Sequence, residues 1–432
     1  MEDGRWKIVA LFLAVFWGAG VWGGPVTGRG IYVIWYRDGE DLLKVPYVVG
    51  GQVVTQWGSV EANEGRYDFA SIGAELAKLK AAGRRATVQI NGNRKPGWLF
   101  DVVPSHPKPL SVQVNDARGT LMYWHPAHVG AYTNMLWAFS RYLTASADRE
   151  AVVGIRLNFN AIGTEHHAVP PGERDLSRWV VPRGAAQWPV WSKEQAEAYD
   201  AAVVETFVSG FSGKVRVFVR NNVGPEIAGK YRSLFDSGKL GWFHTSSEAE
   251  PRSSGTEIQY RRFFEDCRGG KTTAYAEPWA SAWGDHGGLT DDRWCSPPQW
   301  NYWRLLLDLH CGVSFIALYA SDVSVAVNGT YRGKGGRYDE ARDALGYRGE
   351  FEEAFRFASR YAGYHAAPEE SPGAWVALRE NAVIRAANGM PEARRRLSFF
   401  TGDYTFLMER LPDKTAGAGE RPIGPGGQRF GA

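Results

Sequence analysis

The feature that most constrains the fold is a regular alternation of strand-like and helix-like segments. Eight short apolar segments have the composition of β-strands, at residues 30–36, 48–57, 86–92, 151–160, 214–221, 240–246, 272–279 and 313–320. Segments with apolar residues at helical spacing lie between or after them, at residues 68–83, 126–143, 192–211, 227–238, 257–270, 298–312 and 350–365. Strands and helices that alternate in this way predict an α/β fold, a (β/α)8 TIM barrel.

The alternative fold is a doubly wound open sheet of parallel strands. That fold carries a glycine-rich phosphate-binding turn after its first strand, and no early strand here is followed by one; the "VVGG" of residues 48–51 does not qualify. The strands are apolar on both sides, as expected of a parallel sheet whose two faces are covered. The barrel is therefore the predicted fold, over residues 25–365.

Both ends of the chain differ in composition from the barrel. Arg5 and Lys7 precede an apolar run over residues 8–22, which predicts a signal peptide at residues 1–24 and a secreted or periplasmic protein. An uncleaved anchor is the alternative, and no membrane span is expected once the signal is removed. Residues 366–415 predict a small C-terminal β-rich appendage, and the Gly/Pro-rich residues 416–432 predict a disordered tail.

Charge and cysteine content narrow the class of ligand. The formal net charge is +3 and no basic run is interleaved with aromatics, so nucleic-acid binding is not expected. The three cysteines fit no metal spacing, and neither a metal nor a cofactor is predicted. The 18 Trp, 19 Tyr and 21 Phe residues mostly fill the core, but several fall where strands end. Oligomerisation stays open.

Aromatic rings and amides recur at the predicted C-terminal ends of the strands, where functional groups of a barrel gather. Sugars offer apolar faces for stacking and hydroxyl groups for hydrogen bonds, whereas a phosphate ligand needs glycine amides and cations. Asparagines at loop ends are also ordinary turn residues. We predict an oligo- or polysaccharide substrate that contacts Trp35, Trp57, Asn91, Trp98, Asn158, Asn160, His166, Asn221, His244, Trp279, Trp283 and Tyr319.

Two carboxylates stand out among these positions. Glu277 follows a strand in "KTTAYAEPWASAWG" (271–284), and Glu165 follows another in "VVGIRLNFNAIGTEHH" (152–167). Two strand-end carboxylates are what retaining glycoside hydrolysis requires. Each has a plainer interpretation as a surface or salt-bridged acid. A metal site of Glu165, His166 and His167 is a weaker alternative, because adjacent side chains on a strand end point apart.

Four stretches carry a family resemblance. "QWGSVEANEGRYDF" (56–69) resembles the second-strand region of clan A glycoside hydrolases, with a Trp, an acidic E-x-x-x-G turn and "YDF" opening the next helix. "RKPGWL" (94–99), followed by "SHPKPLSVQVNDARG" (105–119) and "HPAHVGAY" (125–132), resembles family 42 β-galactosidases. The resemblance, roughly over residues 45–165, implies a galactose-type substrate, an acid/base glutamate after the fourth strand and a nucleophile at the end of the seventh.

These two roles correspond to Glu165 and Glu277 in this chain. One departure is that the Asn-Glu pair usual on the fourth strand is replaced by "NFN" at residues 158–160. The acid then comes from Glu165 on a longer loop, with Glu248 and Glu250 as reserve carboxylates.

The resulting prediction is a secreted retaining glycoside hydrolase that cleaves β-glycosidic bonds by double displacement. Glu277 attacks the anomeric carbon, while Glu165 protonates the leaving oxygen and later deprotonates water. Trp279 and Trp283 form the floor under the sugar. A non-catalytic carbohydrate-binding barrel is the main alternative, favoured by the missing Asn-Glu pair. An inverting hydrolase and a metal-dependent hydrolase on the same fold are the others.

Overall fold

The structure is a computed structural model that describes most of the predicted barrel. The described residues are 28–38, 40–184, 188–221, 223–244, 266–267, 272–278, 280–282, 297, 301, 304–305, 308–309, 312–331, 342–343 and 345–363. The predicted signal peptide, β-rich appendage and tail lie outside them, as do most of the predicted helices over residues 257–270 and 298–312. Within the described part, no helix has the length and apolar character needed to cross a bilayer.

Eight parallel strands close into a barrel in sequence order. They are β1 (Gly30–Ile34), β2 (Val48–Gln56), β3 (Arg85–Asn91), β4 (Val152–Arg156), β5 (Val217–Arg220), β6 (Leu240–His244), β7 (Thr273–Ala276) and β8 (Phe315–Tyr319). Because β1 pairs with both β2 and β8, the sheet has no open edge. The predicted barrel is confirmed, and the doubly wound open sheet is excluded.

Helices and short strands surround this barrel. The described helices are α1 (Trp57–Val60), α2 (Ala70–Ala81), α3 (Pro126–Ala145), α4 (Lys193–Phe211), α5 (Pro225–Lys230), α6 (Arg232–Asp236), α7 (Ala320–Asn328) and α8 (Arg348–Tyr361). Two antiparallel pairs of two-residue strands, Ser105–His106 with Thr120–Leu121 and Thr330–Tyr331 with Arg342–Asp343, lie in the connections. Helix α4 begins at a capping box in which Ser192 accepts from the Gln195 backbone and Gln195 accepts from the Ser192 backbone.

Two of the differences from the sequence prediction bear on the site and its surroundings. The single helix expected over residues 227–238 is split into α5 and α6, which meet at Tyr231. The fourth strand ends at Arg156 instead of residue 160. Beyond it, the side-chain amides of Asn158 and Asn160 both donate to the Ile90 carbonyl, at 3.1 and 3.0 Å. Asn160 also has a φ of 52°, which an extended strand does not allow.

Side chains alternate along each strand between the barrel interior and the helical shell. Tyr32, Phe218, Phe243, Tyr275 and Phe315 form one buried cluster, distinct from the larger core that the helices share with the outer faces of the strands. Their rings contact one another at centroid distances from 5.2 to 5.9 Å. The barrel is thus filled by aromatic residues, and the site begins where this layer ends.

Gly154 on β4 makes room for one of these rings. A Cβ atom there would lie 2.3 Å from Phe218 Cε2 and 2.9 Å from Cδ2. We expect Gly154→Ala to lower the free energy of unfolding by about 1–3 kcal/mol, the usual effect of overpacking a core. Gly130→Ala in α3 is the matched control, because a Cβ there meets nothing within 4 Å and alanine favours a helix by about 0.5–1 kcal/mol. Urea unfolding followed by Trp fluorescence measures both, and wild-type stability of Gly154→Ala would contradict this packing.

Candidate active site

A cavity of about 290 Å³ lies at the C-terminal ends of the strands. It is lined by Ile34, Trp35, Gln52, Val54, Gln89, Asn91, Asn93, Val112, Gln113, Arg156, Thr164, Glu165, Glu277, Pro278 and Tyr319. Both glutamates singled out in the sequence are among them. Five strands (β1, β2, β3, β4 and β8) and the loops after β1, β3, β4 and β7 therefore contribute to one site, at the face where barrels of this type carry their functional groups.

Glu277 lies one residue beyond β7, and hydrogen bonds fix its direction. Its backbone N–H donates to the His244 carbonyl at 2.9 Å, which continues the parallel ladder from β6. Its Oε2 atom accepts from Gln52 Nε2 at 2.9 Å and from Arg156 Nη1 at 3.0 Å. The Tyr275 hydroxyl donates to the same oxygen at 3.4 Å, and Gln52 Nε2 donates to that hydroxyl at 2.7 Å. Groups from three strands thus hold one oxygen of this carboxylate.

Glu165 is held on the loop after β4 by its backbone. Gln113 Oε1 accepts from the N–H groups of Thr164 and Glu165, at 3.1 and 2.8 Å. Gly163, at φ 67°, packs closely against Gln113, since a Cβ at residue 163 would lie 2.4 Å from Gln113 Cβ. Gln113 itself is held by its N–H, which donates to Ser111 Oγ at 3.0 Å. The loop is therefore positioned by the segment over residues 111–113.

A second set of bonds ties the same loop to the end of β3. Thr164 Oγ1 accepts from the Gly92 N–H at 3.0 Å and donates to Asn93 Oδ1 at 2.6 Å. The buried Lys95 ammonium donates to the carbonyls of Gly92 and Gly163, at 3.0 and 3.3 Å. Burial lowers the pKa of Lys95 to about 7, so part of its charge is lost near neutral pH. The loop that carries Glu165 is thus anchored on both sides.

Arg156, the last residue of β4, joins the two carboxylates. Its Nη1 atom lies 3.0 Å from Glu277 Oε2, and its Nη2 atom contacts Glu165 Oε1. The guanidinium is stacked on the Phe243 ring at 4.0 Å from its centroid, and burial lowers the pKa of Arg156. Arg220, the last residue of β5, adds a contact of 3.3 Å from Nη1 to Glu165 Oε2. Two guanidinium groups therefore meet on Glu165.

The rim of the cavity is aromatic and apolar. Trp35 is half exposed, at 50%, and has a φ of 57°, a left-handed conformation that side chains other than glycine rarely adopt. Its ring contacts Tyr319 with centroids 5.1 Å apart. Val112 is 95% exposed on the segment that positions Glu165. Strained residues that expose large apolar groups beside a cavity are typical of ligand-binding positions.

Several predicted contact residues lie behind the cavity wall. Asn158 is buried and donates to Asn91 Oδ1 at 2.9 Å, while Asn160 is buried and donates to the Tyr132 hydroxyl at 3.1 Å. Asn221 and His244 are buried as a pair, with Asn221 Oδ1 lying 3.3 Å from His244 Nδ1. These residues shape the strand ends that carry the site instead of lining it.

His166 and His167 turn away from each other. His166 Nδ1 lies 2.5 Å from Ser111 Oγ, whereas His167 Nε2 lies 3.1 Å from Asp200 Oδ1. Burial, together with the nearby Arg220, lowers the pKa of His166. Among the described residues, no group of three or more His, Cys, Asp or Glu side chains is arranged to hold a metal ion.

Two predicted tryptophans belong to the core instead of the cavity wall. Trp57 is fully buried and packs against His128 and Tyr132, at centroid distances of 5.2 and 4.9 Å. Its indole N–H donates to Glu61 Oε2 at 2.8 Å, and Glu61 Oε1 accepts from the Gly65 N–H at 3.0 Å.

The E-x-x-x-G turn singled out in the sequence is therefore a structural motif that fixes Trp57. Trp98 is partly buried against the same core. Trp279 and Trp283, and the reserve carboxylates Glu248 and Glu250, lie outside the described residues.

The polar groups that hold the carboxylates were not predicted. Gln52 and Arg156 are inward-facing residues of strands that are otherwise mostly apolar, and Gln113 lies in a loop. The signal for the first two was a polar side chain inside an apolar strand, which a barrel buries only where it has a partner. Nothing in the local sequence marks Gln113.

Comparison with known proteins gives similarity to solved structures only. No protein-family model matches the sequence, and a search of curated proteins found no match. One similar structure is a cold-adapted β-galactosidase from Rahnella sp. R3, with 12% identity and a TM-score of 0.44, over 79% of this chain and 57% of that protein.

Two further structures are glycoside hydrolases. The family 39 glycoside hydrolase from the gut symbiont Bacteroides cellulosilyticus WH2 has 11% identity and a TM-score of 0.40, over 82% of this chain and 67% of that one. A GH5_18 protein from Bifidobacterium longum subsp. infantis has 12% identity and a TM-score of 0.43, over 78% of this chain and 79% of that one. The function proposed next rests on the contacts within the cavity.

Proposed function

We propose that the protein is a glycoside hydrolase that cleaves β-glycosidic bonds with retention of configuration. The observation that carries this proposal is the placement of Glu165 and Glu277 on adjacent nitrogens of the Arg156 guanidinium, in one cavity at the C-terminal face of the barrel. Retaining enzymes need two carboxyl groups about 5–5.5 Å apart, whereas inverting enzymes separate them by about 6.5–9.5 Å. Carboxylates that share one guanidinium favour the shorter spacing.

Glu277 is the nucleophile in this mechanism. Among the described residues, its hydrogen bonds all go to Oε2, so we assign the attack on the anomeric carbon to Oε1. As the bond to Oε1 forms, the bond between the anomeric carbon and the leaving oxygen breaks, and Glu165 gives that oxygen its proton. Glu165 then takes a proton from water, which attacks the glycosyl ester and releases Glu277 as a carboxylate.

The cavity wall supplies the groups that a sugar ring needs. Trp35 and Tyr319 offer aromatic faces, and Asn91 offers an amide for hydroxyl groups. The proposed substrate is an oligo- or polysaccharide. On the basis of the sequence, we also propose that its sugar is of the galactose type and that the protein is exported.

A non-catalytic carbohydrate-binding barrel is the second candidate. The observation that favours it is the pairing of Glu165 with two guanidinium groups, which favours the ionised carboxylate over the protonated acid. Such a protein would retain the aromatic rim and bind glycans without cleaving them.

The stereochemistry of the first product separates these candidates. Wild-type protein is incubated with aryl β-glycosides and with plant and algal polysaccharides, and proton NMR follows the anomeric signals before mutarotation. We expect the β-anomer to appear first, with Glu277→Gln as the inactive control. Early appearance of the α-anomer would indicate inversion. If the wild-type protein binds these glycans but hydrolyses them no faster than Glu277→Gln does, the carbohydrate-binding barrel is the candidate that remains.

A further inference from the structure

Two buried guanidinium groups meet on the residue that the mechanism needs as an acid. Arg156 and Arg220 end neighbouring strands, β4 and β5, and their side chains are only 3% and 11% exposed. Arg156 Nη2 contacts Glu165 Oε1, while Arg220 Nη1 lies 3.3 Å from Glu165 Oε2. Both oxygens of the carboxylate therefore face a cation.

This arrangement conflicts with the first chemical step unless another anion replaces the Glu165 carboxylate. General acid catalysis requires Glu165 to carry a proton, but two adjacent cations favour its ionised form. Protonation also removes a negative partner from both arginines, which is costly for buried charges. Among the described residues, two other acids lie near these arginines: Glu277, 3.0 Å from Arg156, and Asp200, which interacts with Arg220 and is paired with His167.

Resting on the proposed hydrolase function, we propose that the substrate is an acidic glycan. Its sugar at the scissile bond carries a carboxylate or sulfate group that binds Arg156 and Arg220 in place of the Glu165 carboxylate. The planar guanidinium fork is suited to such oxyanions. Glu165, released from the two cations, takes a proton from solvent and becomes the acid. No bond of the substrate changes in this step.

Binding of small acidic sugars tests the site without requiring turnover. The probes are glucuronate, galacturonate and galactose 6-sulfate, each compared with its neutral parent sugar by isothermal titration calorimetry at pH 7. We expect the acidic sugars to bind about 10- to 100-fold more tightly, as a charge-assisted hydrogen bond allows. Tighter binding of the uronates assigns a carboxylate substituent, and tighter binding of the sulfated sugar assigns a sulfate. Equal binding of acidic and neutral sugars overturns the proposal.

Proton uptake on binding distinguishes displacement of Glu165 from simple electrostatic attraction between the acidic sugar and the arginines. If an anion displaces Glu165 from both cations, binding is coupled to proton uptake, which grows as the pH is lowered from 7 toward the ordinary pKa of a glutamate, about 4.3. Calorimetry at several pH values, in buffers of different ionisation enthalpy, measures this uptake. Glu165→Gln should bind the acidic sugar with no proton uptake. Absence of uptake in the wild-type protein would contradict the release of Glu165.

Arginine variants locate the anion. Arg220→Gln should lose most of the preference for acidic sugars, and Arg220→Lys, which keeps the charge without the fork, should lose part of it. Arg94→Gln is the matched control, because Arg94 is an exposed arginine on the loop after β3 that donates to Ser59 Oγ at 2.8 Å. Thermal melting verifies that each variant folds. An unchanged preference in both folded Arg220 variants, or its loss in Arg94→Gln, overturns the assignment.

Hydrolysis of paired aryl glycosides connects this site to the proposed function. Aryl β-glucuronides and β-galacturonides are compared with the neutral glycosides that have the same leaving group. Faster cleavage of the acidic member supports both proposals, whereas faster cleavage of the neutral member supports the hydrolase and overturns the acidic substrate. If acidic sugars bind tightly with proton uptake but are not hydrolysed, the anion site is supported and the proposed hydrolase function is contradicted.

Discussion

Replacement of Glu277 by alanine is expected to lower kcat/KM by about 10⁴–10⁶-fold, the range seen when a hydrolase loses its nucleophile or the group that activates it. The variant should still fold, because Glu277 lies beyond the end of β7, at the cavity, while the aromatic layer beneath it is unchanged. Steady-state kinetics and thermal melting measure the two effects separately. Glu64→Ala, which removes an exposed carboxylate on the turn before α2, is the matched control and should keep full activity.

Chemical rescue distinguishes a lost nucleophile from a damaged site. Azide has room to enter the space that the side chain leaves in Glu277→Ala and to attack the anomeric carbon directly. The expected product is a glycosyl azide of inverted configuration, formed at a rate that rises with azide concentration. A fully active Glu277→Ala protein would remove Glu277 from the mechanism.

Glu165→Gln is expected to act through the leaving group. General acid catalysis contributes about 10²–10⁴-fold, so substrates with poor leaving groups should lose activity by that factor. Activated aryl glycosides need little protonation and should lose much less. A plot of log kcat against the pKa of the leaving group should therefore become steeper in the variant. The glutamine keeps the size of the side chain, and the backbone contacts to Gln113 are retained.

Equal losses on both classes of substrate would remove Glu165 from the acid role. The missing Asn-Glu pair on the fourth strand makes this outcome informative, because the acid is assigned to a loop residue. Glu248 and Glu250 would then be the carboxylates to replace next.

The barrel was predictable from the sequence because its signal is repeated eight times. Each buried strand is a short apolar run, and each helix has apolar residues at helical spacing. An error at one element therefore does not change the predicted fold. The errors occurred where side chains compete with the backbone. Asn158 and Asn160 fit a continued strand by pattern, but their amides bind the Ile90 carbonyl and end the strand at Arg156.

The position of the two carboxylates at the cavity was predictable from the sequence, whereas the residues that surround them were less so. Glu165 and Glu277 were visible because each follows an apolar strand. The contacts that hold Glu277 come from Gln52 and Arg156, which are distant in sequence and meet only when the barrel closes. Tryptophan is a residue that often stacks on sugars, so the sequence suggested this role for Trp57. The structure shows instead that Trp57 is buried beside His128.

The most direct test of the account is to trap the covalent intermediate. A 2-fluoro glycoside of the sugar that the product profile identifies, with an activated leaving group, should form the glycosyl ester faster than the ester breaks down. We expect loss of activity over time and one added glycosyl mass, which peptide mapping should place on Glu277, between Thr272 and Trp283. A label on any other carboxylate, or turnover with no trapped ester, would contradict it.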